Sequence, residues 1–196
     1  MKRWMFLVLT MALIAVLAAC SGNNTEYDGD EEETFLEEES EGTSGSSQEV
    51  TVNLMDTNEE EVATATLTES ESGVNVALEG ENLPPGEHGF HIHETGSCEL
   101  PDFESAGGHY NPTDANHGME DPEGPHAGDM ENIEVGEDGT VDTEVTADMV
   151  TLEDGQDNTL FTEDGTALMI HSEADDYETQ PSGDAGDRIA CGVVSK

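Results

Sequence analysis

The sequence predicts an all-β domain, a sandwich or barrel of short strands, from three observations. Apolar and polar residues alternate over short runs, glycine-containing turns separate those runs, and no amphipathic helix of ordinary length appears. Regular structure is expected from about Glu49, where Val50, Val52 and Leu54 alternate. Val62–Thr64–Thr66 and Val74–Val76–Leu78 follow, joined through a hairpin turn at Glu69–Gly73. Phe90–Ile92 carries a further strand. Ile133–Val135 and Val141–Val145 flank a turn at Glu137–Asp138–Gly139, and Leu168–Ile170 and Ile189–Val193 complete the set. Two stretches, Glu94–Met130 and Ser172–Asp187, lack strand character. Structureless loops of that length in a compact domain are commonly functional, and the first holds three of the seven histidines, His109, His117 and His126.

The chain of 196 residues has room for one domain plus tails. Met1–Lys2–Arg3 is a positive start before an apolar run from Trp4 to Ala19, short for a membrane span and suited to a signal peptide over residues 1–19. The run ends Leu17–Ala18–Ala19–Cys20, which resembles the lipobox of bacterial lipoproteins. That resemblance implies acylation at Cys20 and an extracytoplasmic protein anchored to the cell membrane, since several acyl chains give stable attachment. Residues 20–48 are then a lipidated N-terminus and a solvated acidic linker. Residues 49–196 are the folded domain.

Forty-seven acidic residues face four basic ones, a formal net charge of −43. Such a surface repels nucleic acid and anionic headgroups and excludes polyanionic partners. Lys2 and Arg3 fall in the leader, so Arg188 and Lys196 are the cations left to the domain. At molar salt the screening length is about 3 Å, and repulsion among so many carboxylates is largely damped; the composition reads as that of a halophile. Of three cysteines, Cys20 belongs to the leader, and Cys98 and Cys191 remain as an even pair that suggests one disulfide.

His91 and His93 lie two apart on Gly89–Phe90–His91–Ile92–His93–Glu94, so a strand presents both imidazoles on one face. His109, His117, His126 and Asp129 follow along the first long loop, and His171 ends the strand Leu168–Ile170. Imidazole suits copper and zinc alike, and carboxylate joins readily in zinc sites. Three histidines with an aspartate suit closed tetrahedral zinc, whereas four histidines suit copper(II). Six histidines and one aspartate satisfy both sites only if one imidazole serves two metals through its two ring nitrogens. His88 reads as structural, bonded to backbone.

The segments Gly-Phe-His-Ile-His-Glu, Gly-Gly-His-Tyr-Asn-Pro, Pro-His-Ala-Gly-Asp-Met and Asp-Ala-Gly-Asp-Arg-Ile-Ala-Cys-Gly-Val occur in that order. Together they resemble the signature blocks of the copper/zinc superoxide dismutase family over about Glu49–Val194. The resemblance implies a Greek-key β-sandwich, or flattened barrel, of about eight antiparallel strands, immunoglobulin-like, with two long functional loops. It implies an enzyme that converts superoxide to oxygen and hydrogen peroxide and protects the cell envelope, with one copper and one zinc ion per subunit. His91, His93, His109 and His171 match the copper ligands. His109, His117, His126 and Asp129 match the zinc ligands, which makes His109 the bridge. Asp175 matches the carboxylate that links a copper-ligand imidazole to a zinc-ligand imidazole, in competition with its neighbour Asp176. Arg188 matches the arginine that docks the anion, and Cys98 and Cys191 match the family's disulfide. A homodimer is compatible with the pattern. The alternative within the same resemblance is a lipoprotein that stores or delivers copper and zinc without redox turnover; a complete set of copper-ligand matches favours the enzyme.

Overall fold

The computed structural model describes residues 48–196. The signal peptide, Cys20 and nearly all of the linker expected from the sequence lie outside them. Nine strands form among the described residues: β1 Glu49–Asp56, β2 Glu61–Ser70, β3 Gly73–Gly80, β4 Gly86–His88, β5 Phe90–His93, β6 Ile133–Val135, β7 Val141–Ala147, β8 Thr166–His171 and β9 Arg188–Val194. Seven of them make one antiparallel sheet in the order β5-β8-β9-β1-β2-β3-β7, and β4 and β6 pair separately. A three-residue 3₁₀ turn at Glu104–Ala106 is the one helical element among the described residues. The all-β expectation holds, with β4 as the strand that the alternation did not announce.

Burial follows the alternation. Val50, Val52 and Leu54 of β1 are buried while Glu49, Thr51 and Asn53 are exposed, and β2 and β3 continue the inner face with Ala65, Leu67, Val74, Val76 and Leu78. These residues form the main apolar core with Phe90, Ile92, Leu168 and Ile170.

The face opposite that core positions the site. On β5, Phe90 and Ile92 point into the core, so His91 and His93 point the other way. In register, His91 pairs with Met169, His93 with Ala167, and Met169 with Cys191. Ala167, Met169 and Cys191 therefore share the outward face with both histidines, and His171 extends it two residues beyond Met169. Phe103 and Ala106 from the first long loop close a second, smaller core over Ala167, Met169 and Cys191.

The same loop covers the free edge of β5. Ile92 N donates to Gly128 O at 2.9 Å, Tyr110 N to Ile92 O at 2.7 Å, and Glu94 N to Gly108 O at 2.9 Å. An unpaired edge strand is thus capped by chain from its own domain. Gly128 permits this approach, because a Cβ there would sit 2.2 Å from Ile92 O. Cys98 and Cys191 form a disulfide with Cα atoms 5.7 Å apart, tying the loop to β9.

Candidate metal centre

Two groups of potential ligand atoms form where the covered face of β5–β8 meets the long loops. His91, His93, His109 and His171 make one; His109, His117, His126 and Asp129 make the other, and His109 belongs to both. In each group the ligand atoms all lie within 4.8 Å of one another, and all seven residues are buried. Strand pairing explains the convergence: isolated bridges set His109 against His93 and Asp129 against His91, so the loop delivers two of its donors directly onto the strand that carries two more.

Hydrogen bonds fix which nitrogen of each ring faces inward. His91 Nε2 donates to Asp175 Oδ2 at 2.6 Å, leaving its Nδ1 buried without a partner. His93 Nδ1 donates to Gly107 O at 3.0 Å, which turns its Nε2 toward His171 Nε2, 3.4 Å away. His109 Nδ1 bonds Asp129 Oδ1 at 2.7 Å, and its other ring nitrogen, Nε2, is buried and unpartnered. His117 Nε2 donates to Asp175 Oδ1 at 3.0 Å, and its buried Nδ1 lies 3.1 Å from Asp129 Oδ2 without the alignment of a hydrogen bond. Buried polar atoms are rarely left unmatched. Three such nitrogens, each on a ring that belongs to a donor group, fit a metal ion in each group.

Asp175 is 3% exposed and joins His91 to His117, whereas Asp176 is exposed and turns to Thr179. Asn132, for which the sequence carries no signal, holds Asp175 in place: Asp175 N donates to Asn132 Oδ1 at 2.9 Å and Asn132 Nδ2 to Asp175 O at 2.9 Å. Arg188 is held by main-chain carbonyls, donating from Nη1 to Phe103 O at 2.6 Å and from Nη2 to Gly107 O at 2.7 Å. Each Nη keeps a second N–H. Arg188, His93, His109 and His171 line a cavity of about 490 Å³ whose rim includes Glu94 and Asp114. His88 lies where a structural residue belongs, with Nδ1 2.8 Å from His171 O and Nε2 2.7 Å from Pro84 O.

The comparisons with known proteins agree with this arrangement. Residues 61–194 match the family described as copper/zinc superoxide dismutase (SODC). The chain belongs to the copper/zinc superoxide dismutase family. A superoxide dismutase [Cu-Zn] of Aquifex aeolicus is 51% identical over 136 residues, spanning 69% of this chain and 80% of the relative. Among solved structures, the Cu/Zn superoxide dismutase of Brucella abortus superposes with a TM-score of 0.63 at 31% identity, covering 76% of this chain and all of that one. A dismutase-like protein of Bacillus subtilis, crystallised as a double mutant in which a tyrosine and a proline are replaced by histidine, gives 0.72 at 45% identity, covering 74% and 97%. The activity is superoxide dismutation and the cofactors are copper and zinc.

Burial keeps three of these imidazoles, His93, His109 and His171, in the neutral form that can bind metal. Burial, reinforced by His109, His171 and Arg188, depresses His93 to about 2. Burial with His91 and His109 depresses His171 to about 3, and burial outweighs the pull of Asp129 to leave His109 at about 4. His117 moves the opposite way: burial opposes its charge, but Asp129 and Asp175 on either side raise it to about 9. Burial works against the Asp129 carboxylate too, yet the imidazoles of His109, His117 and His126 close beside it hold it far below the ordinary carboxylate range.

A pH dependence of the metal-stripped domain follows. His93, His109 and His171 bind protons near 6.5 when unfolded and resist them when folded, so the unfolded state takes up more protons as pH falls below 6.5. Stability then falls with pH. His117 has the opposite sign, its contribution being complete below 6.5 and lost as pH rises through about 9. Lowering the pH from 6.5 to 5.5 is expected to cost on the order of 2 kcal/mol of unfolding free energy. Urea midpoints of metal-free protein at the two pH values check this; equal midpoints contradict it.

Proposed function

We propose that His91, His93, His109 and His171 hold copper and that His109, His117, His126 and Asp129 hold zinc, with the His109 imidazole between the two ions. The observation that carries this reading is the place of His109 in both groups: Nδ1 is bonded to Asp129 of one group, and Nε2 is buried and unmatched. Metal analysis of purified protein together with a superoxide-consumption assay tests it, with one copper and one zinc per chain and fast consumption expected. Zinc alone without activity would favour a storage or delivery role.

Copper, when bound, supplies the one-electron couple that superoxide needs in both half-reactions, and zinc supplies none. The protein residues do the remaining work. Arg188 offers its free N–H groups to the incoming anion, and its two carbonyl anchors keep the guanidinium preorganised, so little reorientation opposes binding. His109, tied to Asp129 through Nδ1, has Nε2 as the atom that takes up a proton and releases it toward the reduced product. Asp175 fixes the ring directions of His91 and His117 together, the outer partnership that metal-bound imidazoles need.

The rim of the cavity has no lysine, and Glu94 and Asp114 stand on it instead. The loop before Arg188 adds Glu173, Asp176, Glu178, Asp184 and Asp187. Long-range approach of superoxide is opposed by this field in dilute buffer. The screening length falls from about 30 Å at 0.01 M salt to 3 Å at 1 M, while the short-range attraction of half-buried Arg188 survives. The second-order rate constant is expected to rise several-fold between those concentrations. Pulse-generated superoxide decay across a salt series measures it; a steep fall with the fold intact would refute the field argument.

The disulfide supports an oxidising compartment. On this reading Cys20, once acylated, tethers the domain outside the cytoplasm on the membrane, where it protects the cell envelope.

A further inference from the structure

His117 lies in a stretch of loop without strand structure, and its main-chain groups are satisfied in an unusual way. Gln180, exposed on the loop between β8 and β9, accepts from His117 N through Oε1 at 2.9 Å and donates from Nε2 to His117 O at 2.8 Å. Among the described residues His117 N and O have no other hydrogen-bond partner. The other donors of this group are anchored differently. His109 and Asp129 are bridged to β5, and His126 and Asp129 exchange main-chain and side-chain bonds with each other. The two loops are pressed together at this point, since a Cβ on Gly118 would meet Tyr177 O at 2.0 Å.

With the backbone of His117 held by Gln180 and its Nε2 held by Asp175, the direction of Nδ1 is fixed from two sides by one loop. We propose that Gln180 is a positioning residue that retains zinc by clamping the main chain of His117. It touches no ion itself. This rests on the reading of His117 as a zinc ligand. The amide suits the task because it supplies a donor and an acceptor side by side, matching both polar groups of the residue it clamps.

The test uses the full chain loaded with both metals, as wild type, Gln180→Ala and Gln180→Met. Zinc release to a chromogenic chelator is followed alongside copper retention in the same samples. Cobalt placed in the zinc position reports ligand geometry through its visible bands. Gln180→Ala is expected to release zinc about tenfold faster, to lose copper only after the zinc has left, and to shift the cobalt bands. Gln180→Met, which keeps the length and loses both hydrogen bonds, behaves alike. Unchanged zinc release, parallel loss of both metals, or recovery by methionine would each overturn the proposal, the last because packing alone would then suffice. A wild-type chain that takes up no zinc brings down the ligand assignment itself, and this proposal with it.

Discussion

His109→Ala is expected to lose more than about 100-fold of superoxide-consuming activity and to weaken both metal sites at once. Removing an outer partner of a ligand already costs about 10–100-fold in affinity or activity, and His109 stands inside both donor groups. Its removal leaves three candidate donors on either side and takes away the Nε2 proton site. Asp129 Oδ1 also loses its shortest imidazole partner, keeping the weaker bond from His126 at 3.2 Å. Superoxide decay measured per chain, with copper and zinc quantified on the same samples, gives the result. Wild-type occupancy of both metals with wild-type turnover would remove His109 from the mechanism.

Cys98→Ser is expected to lower the unfolding free energy by about 4 kcal/mol. The bond closes a separation of 93 residues, and the chain-entropy account gives about 4–5 kcal/mol for a loop of that length, with 2–5 typical when a native bridge is removed. A second consequence distinguishes this bond from a generic staple. The stretch that Cys98 anchors carries Phe103 and Gly107, whose carbonyls hold Arg188. The variant should therefore bind anions less well even where it remains folded. Denaturant midpoints of oxidised wild type and Cys98→Ser measure the first effect, and turnover at low superoxide in the folded variant measures the second. A variant with an unchanged midpoint would contradict the loop-closure argument.

Much of this was legible from residue order because alternation and spacing are local. β1, β2, β3 and β7 begin or end within a few residues of where the alternating valines and leucines place them. The expected turns fall between β2 and β3 and between β6 and β7. β4 escaped because Gly86–Glu87–His88 has no alternation of its own, following Pro84–Pro85, and exists by pairing with β6 far along the chain. Five metal-ligand candidates were legible within the four family blocks, His117 and His171 by their place between those blocks, and the structure brings all seven together.

What holds those candidates was not legible, because the partners are either main-chain atoms or lone side chains remote in sequence. Gly107 O receives both His93 and Arg188, and a carbonyl has no letter of its own. Asn132 sits 43 residues from Asp175, and Gln180 is 63 residues from His117. No spacing rule joins positions so far apart. Burial separates Asp175 from Asp176, and burial is a property of the folded loop rather than of two adjacent identical residues.

The single carboxylate of Asp175 has a thermodynamic corollary. Because it grips one ring from each donor group, ordering either ring preorganises the other, so under the proposed ligand assignment the two loading equilibria are expected to be coupled. Linkage requires the coupling to be mutual: whatever factor zinc adds to the affinity for copper, copper must add to the affinity for zinc. Under that assignment, withholding one ion is expected to weaken the binding of the second.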